Sequence, residues 1–233
     1  MRNYIFVIVV FILFSITIYL SISFIQKTFN TKEKQTVEYV QKRIEKRRKE
    51  EIDTLFGNFD DIDSVYIIGI KNKRKLEVWI KNKENDKFKK VKSYKFSGFS
   101  GSEGPKLIEG DGQIPEGIYG IEYLNPKSKY YLSIKLSYPN DFDKEMGKND
   151  NRPNLGGDIF IHGKYLTSGC IPIGDKNIEE LFYLISKINV EKVKVILSPV
   201  DFRIDEKLKG PLPYQWVDKL YSEIKHEMNK ICK

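Results

Sequence analysis

The amino-acid sequence predicts a mainly β domain of the α+β class, with a transmembrane helix before it and a further helix after it. Three observations support this prediction. An apolar run fills residues 4–25, and short β-branched runs bounded by turn residues recur between residues 64 and 197. Helical spacing of apolar residues returns near residue 180 and again after residue 213. A chain of 233 residues has room for one such domain with these extensions.

The run from Tyr4 to Ile25 predicts a membrane anchor. It holds 22 consecutive uncharged residues. At about 1.5 Å of rise per residue, a helix of this length covers the roughly 30 Å hydrocarbon core of a bilayer. A cleaved signal peptide has a shorter apolar core, followed by small residues at the cleavage site. Ser21 to Gln26 offers no such site, so we expect the anchor to be retained.

The charges of the chain limit its orientation and its partners. Arg2 precedes the apolar run and three lysines between residues 27 and 34 follow it, a count that slightly favours a cytoplasmic location for the rest of the chain. The chemistry of the motifs described below favours the opposite side, and we adopt that orientation. The net charge of +8 comes mostly from lysines interspersed with Asp and Glu. Because no platform of aromatic and basic residues accompanies it, we expect no nucleic-acid partner.

The elements follow in order along the chain. Thr36 to Phe56 has helical apolar spacing and predicts a stalk helix, whereas the polar stretch from Pro139 to Gly157 predicts a connection. Asp175 is placed to cap a helix whose apolar positions run to Ile188. The predicted strands are Ser64 to Ile70, Lys75 to Ile80, Lys87 to Phe96, Ile118 to Tyr123, Tyr130 to Leu136, Asp158 to His162 and Val193 to Leu197, and a last helix follows Pro213.

A long shaped loop is predicted between Ser97 and Gly120. This stretch holds seven glycines and two prolines. Glycine reaches positive φ freely, and proline fixes φ near −65°. Long ordered loops of compact domains are often functional. We therefore expect this loop to have a role beyond connecting two strands.

The segment from Phe160 to Cys170 is the candidate catalytic site. It places His162, one of two histidines in the chain, eight residues before Cys170, one of two cysteines. If the two arms of the segment pair antiparallel, His162 and Cys170 lie opposite each other on one face, with Cβ atoms about 4.5–5.5 Å apart. The imidazole then takes the thiol proton. Because an adjacent imidazolium lowers the pKa of a thiol, we expect a reactive thiolate.

The turn before the cysteine predicts a site for a negatively charged oxygen. Gly169 permits a tight turn with open access, and the backbone amides of Gly169 and Cys170 are candidate donors to an oxyanion. Thr167 and Ser168 add two hydroxyls at the same turn. The group that orients the histidine stays open: one of these hydroxyls, the Asp158 carboxylate or a backbone carbonyl.

Other uses of the histidines and cysteines are less favoured. Zinc needs three or four ligands, and His226 and Cys232 lie at a six-residue offset that does not share a helical face. We therefore expect no metal and no other cofactor. A disulfide between Cys170 and Cys232 would consume the candidate nucleophile and engage the penultimate residue, where chain ends are usually loose. We expect the two cysteines to remain unpaired.

Three sequence motifs resemble the L,D-transpeptidase (YkuD-like) catalytic domain, in its Gram-negative YafK-like branch. His162-Gly163 with Ser168-Gly169-Cys170 resembles the family's His-Gly followed by Ser/Thr-x-Gly-Cys. Gly110 to Tyr119 resembles its Gly-Asp-x-x-Thr-Pro-x-Gly-x-Tyr/Phe segment. Leu124 to Pro126 with Ser137 to Asn140 resembles connecting strands of that branch. Together the motifs cover roughly residues 60 to 205.

The resemblance implies a mostly β fold, a mixed β-sandwich with a capping helix, and roles for the motif residues. Cys170 is then the acyl-accepting nucleophile and His162 its general base. The implied substrate is a peptidoglycan stem peptide, attacked beside its meso-diamino acid. Gly163, Lys164 and Arg152 lie near the motifs and are candidate substrate-binding residues, and Lys106 is a further basic residue nearby. In a lysine-rich chain the alternative of plain surface is favoured for each of the three basic residues.

Several positions depart from the commoner pattern of the family. Ser168 replaces a histidine before the Gly-Cys pair, Pro172 replaces an asparagine or arginine after it, and Ile114 replaces a threonine. The acyl acceptor therefore stays open, since an amine gives transpeptidation whereas water gives carboxypeptidase or amidase activity. The alternative from another class is a membrane-tethered peptidoglycan-binding protein without catalysis. Retention of both His162 and Cys170 argues against that alternative.

These predictions divide the chain into five parts. Residues 1–3 are a short tail, 4–25 the anchor, 26–58 a helical stalk, 59–205 the catalytic domain and 206–233 a C-terminal helical extension. We expect a single-pass protein of the inner membrane whose catalytic domain lies in the periplasm and acts in cell-wall remodelling or attachment. The expected partners are peptidoglycan stem peptides, inner-membrane lipid and, for the amidase outcome, a protein linked to peptidoglycan.

Overall fold

The computed structural model describes residues 12–25, 36–204, 208 and 214–232. Residues 12–25 are helical. Within the described ranges, no helix combines the length and the apolar character needed to cross a membrane. Residues 4–11 of the predicted anchor lie outside the described residues, as do residues 1–3 and 26–35.

From Val37 onward, the described part of the chain contains four α-helices and nine β-strands. The helices are α1 (Val37–Phe56), α2 (Asp141–Asn149), α3 (Asp175–Lys187) and α4 (Trp216–Asn229). The strands are β1 (Ile62–Ile70), β2 (Lys75–Asn82), β3 (Lys89–Lys95), β4 (Gly117–Tyr119), β5 (Ile121–Asn125), β6 (Ser133–Leu136), β7 (Phe160–His162), β8 (Ile171–Pro172) and β9 (Val193–Ser198).

The strands form two mixed sheets. The five-stranded sheet has the order β3-β2-β1-β9-β4, in which β1 and β9 run parallel and the other neighbours antiparallel. The four-stranded sheet has the order β5-β6-β7-β8, in which β7 and β8 run parallel and the other neighbours antiparallel. The predicted α+β class with mixed sheets is therefore confirmed.

Both faces of the five-stranded sheet are covered. Along β1, Val65 and Ile67 belong to the main hydrophobic core, whereas Tyr66 and Ile68 belong to a second cluster under α4. This alternation follows from the two-residue period of a strand. It explains why β1 reads as a nearly continuous apolar run, since a strand buried on both faces has no solvent side.

Helix α1 packs into the main core. Its buried residues are Val40, Ile44, Ile52 and Phe56, which recur at helical spacing with Arg48 at the position between them. The backbone at Arg48 leaves helical geometry, with φ −140° and ψ 16°. The helix predicted for this stretch is therefore present, and its apolar face belongs to the core of the domain.

The strand predicted for Ile118 to Tyr123 is two strands in the structure. Strands β4 and β5 lie in different sheets. The chain leaves one sheet and enters the other at Gly120, whose amide donates a hydrogen bond to Ser137 Oγ at 2.8 Å. The local β-branched composition therefore predicted extended backbone correctly. It did not predict that the chain passes from one sheet to the other within this segment.

Two helix starts also differ from the prediction. Helix α2 lies in the polar stretch predicted as a connection, and Asn140 caps it. The side chains of Asn140 and Asp143 each accept a hydrogen bond from the other's backbone amide, which is the capping-box arrangement. Asp175 is the first residue of α3 and not its cap, because Gly174 occupies the cap position. The Asp175 carboxylate instead accepts the backbone amide of Lys164 at 2.8 Å.

Candidate active site

Strands β7 and β8 position the two candidate catalytic residues. They run parallel, with Ile161 opposite Ile171 and His162 opposite Pro172, so the predicted antiparallel pairing is wrong. Both isoleucines are fully buried in the core. Because neighbouring residues of a strand point to opposite faces, His162 faces away from that core layer. The residues after His162 cross over to β8 instead of reversing in a hairpin, and Cys170 stands immediately before β8.

His162 and Cys170 line one pocket of about 370 Å³. Strand β6 lies beside β7, with Ser133 opposite His162, and Ser133, Asp158 and Phe160 also line the pocket. A further wall comes from the end of β5 and its connection to β6, with the lining residues Asn125, Lys127, Ser128, Lys129 and Tyr130. The fold therefore brings the predicted pair together at one concave surface.

The His162 imidazole is held by a backbone carbonyl. His162 is 1% exposed, and its Nδ1 lies 2.6 Å from the carbonyl oxygen of Gly163. A carbonyl oxygen only accepts, so Nδ1 carries the hydrogen of the neutral ring and Nε2 is left with its lone pair. Of the orienting groups left open by the sequence, the structure favours the backbone carbonyl. Burial lowers the pKa of His162, and the hydrogen bond to Gly163 raises it by less.

The Cys170 thiol is free and half-buried. Its Sγ donates to the backbone carbonyl of Asp158 at 3.5 Å. Burial raises the pKa of Cys170, and a backbone hydrogen bond with Phe160 opposes that rise. Burial therefore disfavours the thiolate that the sequence led us to expect. It also disfavours the imidazolium of His162, so the two shifts together favour a neutral thiol and a neutral imidazole.

The turn before Cys170 is closed by hydroxyl groups. The amide of Cys170 donates to Thr167 Oγ1 at 3.0 Å, and the Thr167 hydroxyl donates to the carbonyl of Cys170 at 2.8 Å. The amide of Gly169 donates to Ser100 Oγ at 2.7 Å. Both amides predicted for the oxyanion hole thus have hydroxyl partners, and an oxyanion would take the place of a hydroxyl at either one. Ser168 is exposed at the tip of this turn.

The predicted glycine- and proline-rich loop packs against this turn. Gly169 has φ +91°, and a Cβ at that position would lie 2.9 Å from the carbonyl oxygen of Gln113, so glycine is required there on both grounds. Asp111 organises the loop itself. Its carboxylate accepts a hydrogen bond from the ammonium of Lys106 at 2.6 Å. The same carboxylate accepts the backbone amides of Leu107, Ile108 and Gln113.

The three candidate substrate-binding residues lie in different surroundings. A Cβ at Gly163 would lie 2.6 Å from Asp175 Oδ1, so this glycine allows close packing beside the histidine. Lys164 is exposed, and its ammonium donates to the carbonyl of Lys129 at 2.7 Å. Arg152 does not line the pocket with Cys170. Its guanidinium pairs with Asp150 and donates to the carbonyl of Leu107.

Three further residues at the site were not found from the sequence. Tyr130 packs on the imidazole, with 4.6 Å between the centres of its ring and that of His162. Ser100 binds the turn through its hydroxyl, and Lys135 lies over the ring of Phe160. None belongs to the His-Gly or Gly-Cys motifs. Each reaches the site only through the pairing of distant segments, so the sequence carries no local signal for them.

A half-buried thiol and a neutral histidine that share one pocket on a two-sheet α+β domain define this molecule as a candidate cysteine enzyme of the acyl-transfer class. The family comparison agrees with that class. The chain belongs to the YkuD family, the L,D-transpeptidase catalytic domain, whose family model matches residues 63–196. The family predicted from the sequence motifs is therefore confirmed.

The chain is also similar to two curated relatives and to a solved structure. YafK of Escherichia coli strain K12 and YafK of Escherichia coli O157:H7 are each 33% identical to it over 124 residues, which are 52% of this chain and 47% of theirs. The match thus spans about half the length of these relatives. The helical cell shape determining protein Pgp2 of Campylobacter jejuni (K307A mutant) is 23% identical, with a TM-score of 0.50, over 84% of this chain and 62% of Pgp2. That likeness supports the fold alone.

Proposed function

We propose that this protein is a membrane-anchored cysteine enzyme of peptidoglycan, an L,D-transpeptidase that transfers an acyl group at the meso-diamino acid of stem peptides. The observation that supports this proposal best is the pairing of His162 and Cys170 in one pocket. The carbonyl of Gly163 holds Nδ1 of the imidazole, which leaves Nε2 unprotonated as the base. Membership of the YkuD family agrees with the reaction class.

The chemistry follows from these atoms. Nε2 of His162 removes the thiol proton as Sγ of Cys170 attacks the carbonyl carbon of the diamino acid. The tetrahedral oxyanion collapses, the bond between that carbon and the leaving amine breaks, and the imidazolium returns the proton to the amine. A thioester to Cys170 remains. An acceptor amine attacks the thioester and gives its proton to Nε2. The bond between carbon and Sγ then breaks to release the new amide, and the imidazolium returns the proton to Sγ, which restores the thiol.

Defined muropeptides test this proposal. The full chain in mild detergent is incubated with a tetrapeptide muropeptide, with and without an amine acceptor, and the products are read by mass spectrometry. We expect a cross-linked product that requires the amine, and a loss of at least about 10³-fold in rate for Cys170→Ala and for His162→Gln. Cys232→Ser is the matched control, because it removes the other cysteine and keeps both His162 and Cys170.

Each other outcome has a defined meaning. Cleavage by water alone, dependent on Cys170, would replace the transferase with a carboxypeptidase or amidase of the same site. The departures at Ser168, Pro172 and Ile114 from the commoner family pattern make this the nearest alternative. If no muropeptide changes in a way that depends on Cys170, the enzyme proposal fails and a peptidoglycan-binding protein replaces it.

The anchor and its orientation belong to the same proposal. Residues 4–25 span the inner membrane once, and the domain at residues 59–205 lies in the periplasm, where it meets mature peptidoglycan and serves cell-wall remodelling and cell shape. The support is the apolar run of the sequence. Reporters fused after residue 233 test the orientation, with a periplasmic signal expected. A cytoplasmic signal would remove access to the substrate and contradict the proposal.

A further inference from the structure

An ion pair beside the Cys170 thiol has no role in the chemistry described so far. Lys135 Nζ lies 2.5 Å from Asp158 Oδ1 and 5.2 Å from the centre of the Phe160 ring. The side chain of Lys135 is 9% exposed, whereas that of Asp158 is 86% exposed. A buried cation is thus held by a carboxylate that solvent reaches freely.

The ion pair is directly linked to the reacting thiol. Lys135 stands opposite Phe160 in the register of β6 and β7, and the carbonyl of Asp158 accepts the hydrogen bond from Cys170 Sγ. Asp158 and Phe160 line the pocket together with Cys170. Asp158 therefore contacts the ammonium through its side chain and the thiol through its backbone.

The difference in burial makes this pair suited to exchange. Withdrawing the Asp158 carboxylate without replacing it would leave the buried ammonium of Lys135 unpaired, which is strongly unfavourable. An incoming carboxylate avoids that cost, because one charged partner replaces another. The Asp158 side chain meanwhile moves into the solvent that already surrounds it. Exchange of one carboxylate for another on Lys135 therefore has little net cost.

We propose that Lys135 is a substrate-binding cation beside this pocket and takes a carboxylate of the donor stem peptide in place of Asp158. The inference rests on the proposed function, since a meso-diamino acid has one carboxyl group as the transferred acyl and a second that is free. The residue that leaves carries a terminal carboxylate of its own. Lys135 reaches the pocket through its contacts with the lining residues Asp158 and Phe160. Lys127 and Lys129 line the pocket directly, but both are exposed. A carboxylate bound to either of them stays in water, where ion pairs are weak.

Two alkylating agents test the cation without any peptide. Iodoacetate carries a carboxylate and iodoacetamide does not. Both react with the thiolate, so the ratio of their rates at Cys170 is independent of the thiolate fraction. We expect Lys135→Met to lower the ratio of the iodoacetate rate to the iodoacetamide rate roughly three- to tenfold, and Asp158→Asn to raise it by a similar factor. The full chain is used with Cys232→Ser, and the Cys170 peptide is quantified by mass spectrometry.

Lys129→Met is the matched control, since it removes an exposed ammonium that lines the pocket. We expect its rate ratio to stay within about twofold of the parent protein. An unchanged ratio in Lys135→Met, or a larger fall in Lys129→Met, would overturn the inference. If Lys135→Met does not fold, the rate ratio of Asp158→Asn decides the test. Because the Asp158 side chain is exposed, we expect this substitution to leave the fold intact. An unchanged rate ratio in Asp158→Asn contradicts the exchange of carboxylates.

Donor peptides then identify the carboxylate that Lys135 binds. One donor is amidated at its C-terminal residue and another at the free carboxyl group of the diamino acid. We expect KM to rise about tenfold for one of the two, and that difference to disappear in Lys135→Met. Equal KM values for all donors in the wild type overturn the carboxylate role. If the wild type shows no turnover that depends on Cys170, the proposed function fails, and the alkylation ratio still decides whether Lys135 attracts carboxylates.

Discussion

Burial shifts the pKa values of both candidate catalytic residues toward their neutral forms. The pKa of Cys170 is raised and the pKa of His162 is lowered, and in each case the largest cause is loss of solvent around the charged form. The two shifts favour the neutral pair. In the mechanism that we propose, transfer of the thiol proton to Nε2 then accompanies attack on the substrate.

The neutral pair predicts the pH dependence of both residues. A thiol with a raised pKa stays protonated to higher pH, so alkylation of Cys170 by iodoacetamide should reach half its maximum above pH 9, the ordinary pKa of the group. A base with a lowered pKa stays unprotonated to lower pH, so the acid limb of kcat/KM should lie below 6.5, the ordinary value for histidine. Stopped-flow alkylation measures the pH midpoint of Cys170, and kcat/KM over a pH series measures the acid limb assigned to His162.

The denatured chain is the control for this prediction, because its Cys170 should titrate as an ordinary thiol. Saturated alkylation of the folded protein already at pH 7 would show a resting thiolate and contradict the neutral pair. Such a result would restore the ion pair that the sequence alone led us to expect.

At the scale of elements, arginines of α1 form ion pairs with glutamates of α3. Arg48 lies 2.5 Å from Glu180, and its side chain is 10% exposed against 1% for the carboxylate. Arg47 lies 2.6 Å from Glu179, but its side chain is 50% exposed. Arg43 donates to the hydroxyl of Tyr131, the neighbour of the residue that packs on the imidazole. Helix α1 therefore contacts both α3 and the connection that forms one wall of the pocket.

Arg47 and Arg48 form a matched pair for testing this contact. Arg48→Met leaves the Glu180 carboxylate buried with Lys92 as its remaining ion-pair partner, so we expect the free energy of unfolding to fall by about 3 kcal/mol. Arg47→Met removes a half-exposed guanidinium and leaves the buried Glu179 carboxylate with Arg48 as an ion-pair partner, so we expect a loss below about 1 kcal/mol. Urea unfolding of the full chain measures both. Equal losses would show that burial of the Arg48 pair does not decide the stability of the contact.

The elements also show which parts of the fold were predictable. Strands β1, β2, β3 and β9 and helices α1, α3 and α4 follow from local apolar spacing, which acts within a few residues. The parallel direction of β7 and β8 does not, because it depends on how Ile161 and Ile171 pack in one core layer. Helix α2 carried a local signal, Asn140 followed by Asp143, which a polar composition obscured.

Some residues of the candidate site were likewise predictable from the sequence and others were not. His162 and Cys170 were predictable, because the chain has few residues of either type and the two occur close together beside glycines. The orientation of the imidazole could not be predicted, because every residue has a backbone carbonyl. Only the path of the folded chain places the carbonyl of Gly163 at Nδ1 of His162. Through the pairing of β5, β6 and β7, Tyr130 lines the pocket and Lys135 meets Asp158 beside it, and no local pattern encodes that pairing.

At the scale of the whole molecule, one buried ion pair joins three distant parts of the chain. Lys71, in the turn after β1, lies 2.8 Å from Glu116, in the glycine- and proline-rich loop, and the two side chains are 1% and 0% exposed. The hydroxyl of Tyr221, on α4, donates to the same carboxylate at 2.6 Å. Lys71 also donates to the carbonyls of Gly104 and Ile114. The pair thus ties a sheet, a loop and the last helix together.

This arrangement predicts strong coupling between Lys71 and Glu116. Removing either charge leaves the other buried and unpaired, so Lys71→Met and Glu116→Gln should each lower the free energy of unfolding by about 3–5 kcal/mol. The double variant should cost at least about 2 kcal/mol less than the sum of the two, because it leaves neither charge behind. Urea unfolding followed by the fluorescence of the two tryptophans, Trp79 on β2 and Trp216 on α4, measures the cycle.

The two tryptophans also test whether the pair connects the sheet to α4. If it does, Lys71→Met lowers the unfolding midpoint of both tryptophans together, and transitions read with only one tryptophan present coincide. Trp79→Phe and Trp216→Phe backgrounds separate the two signals. Because the loop of Glu116 also packs on the turn at Gly169, turnover should fall at the same urea concentration as the fluorescence changes. Two outcomes would contradict this role of the ion pair. One is a double variant whose loss of unfolding free energy equals the sum of the two single losses, and the other is a Trp216 unfolding midpoint that Lys71→Met does not change.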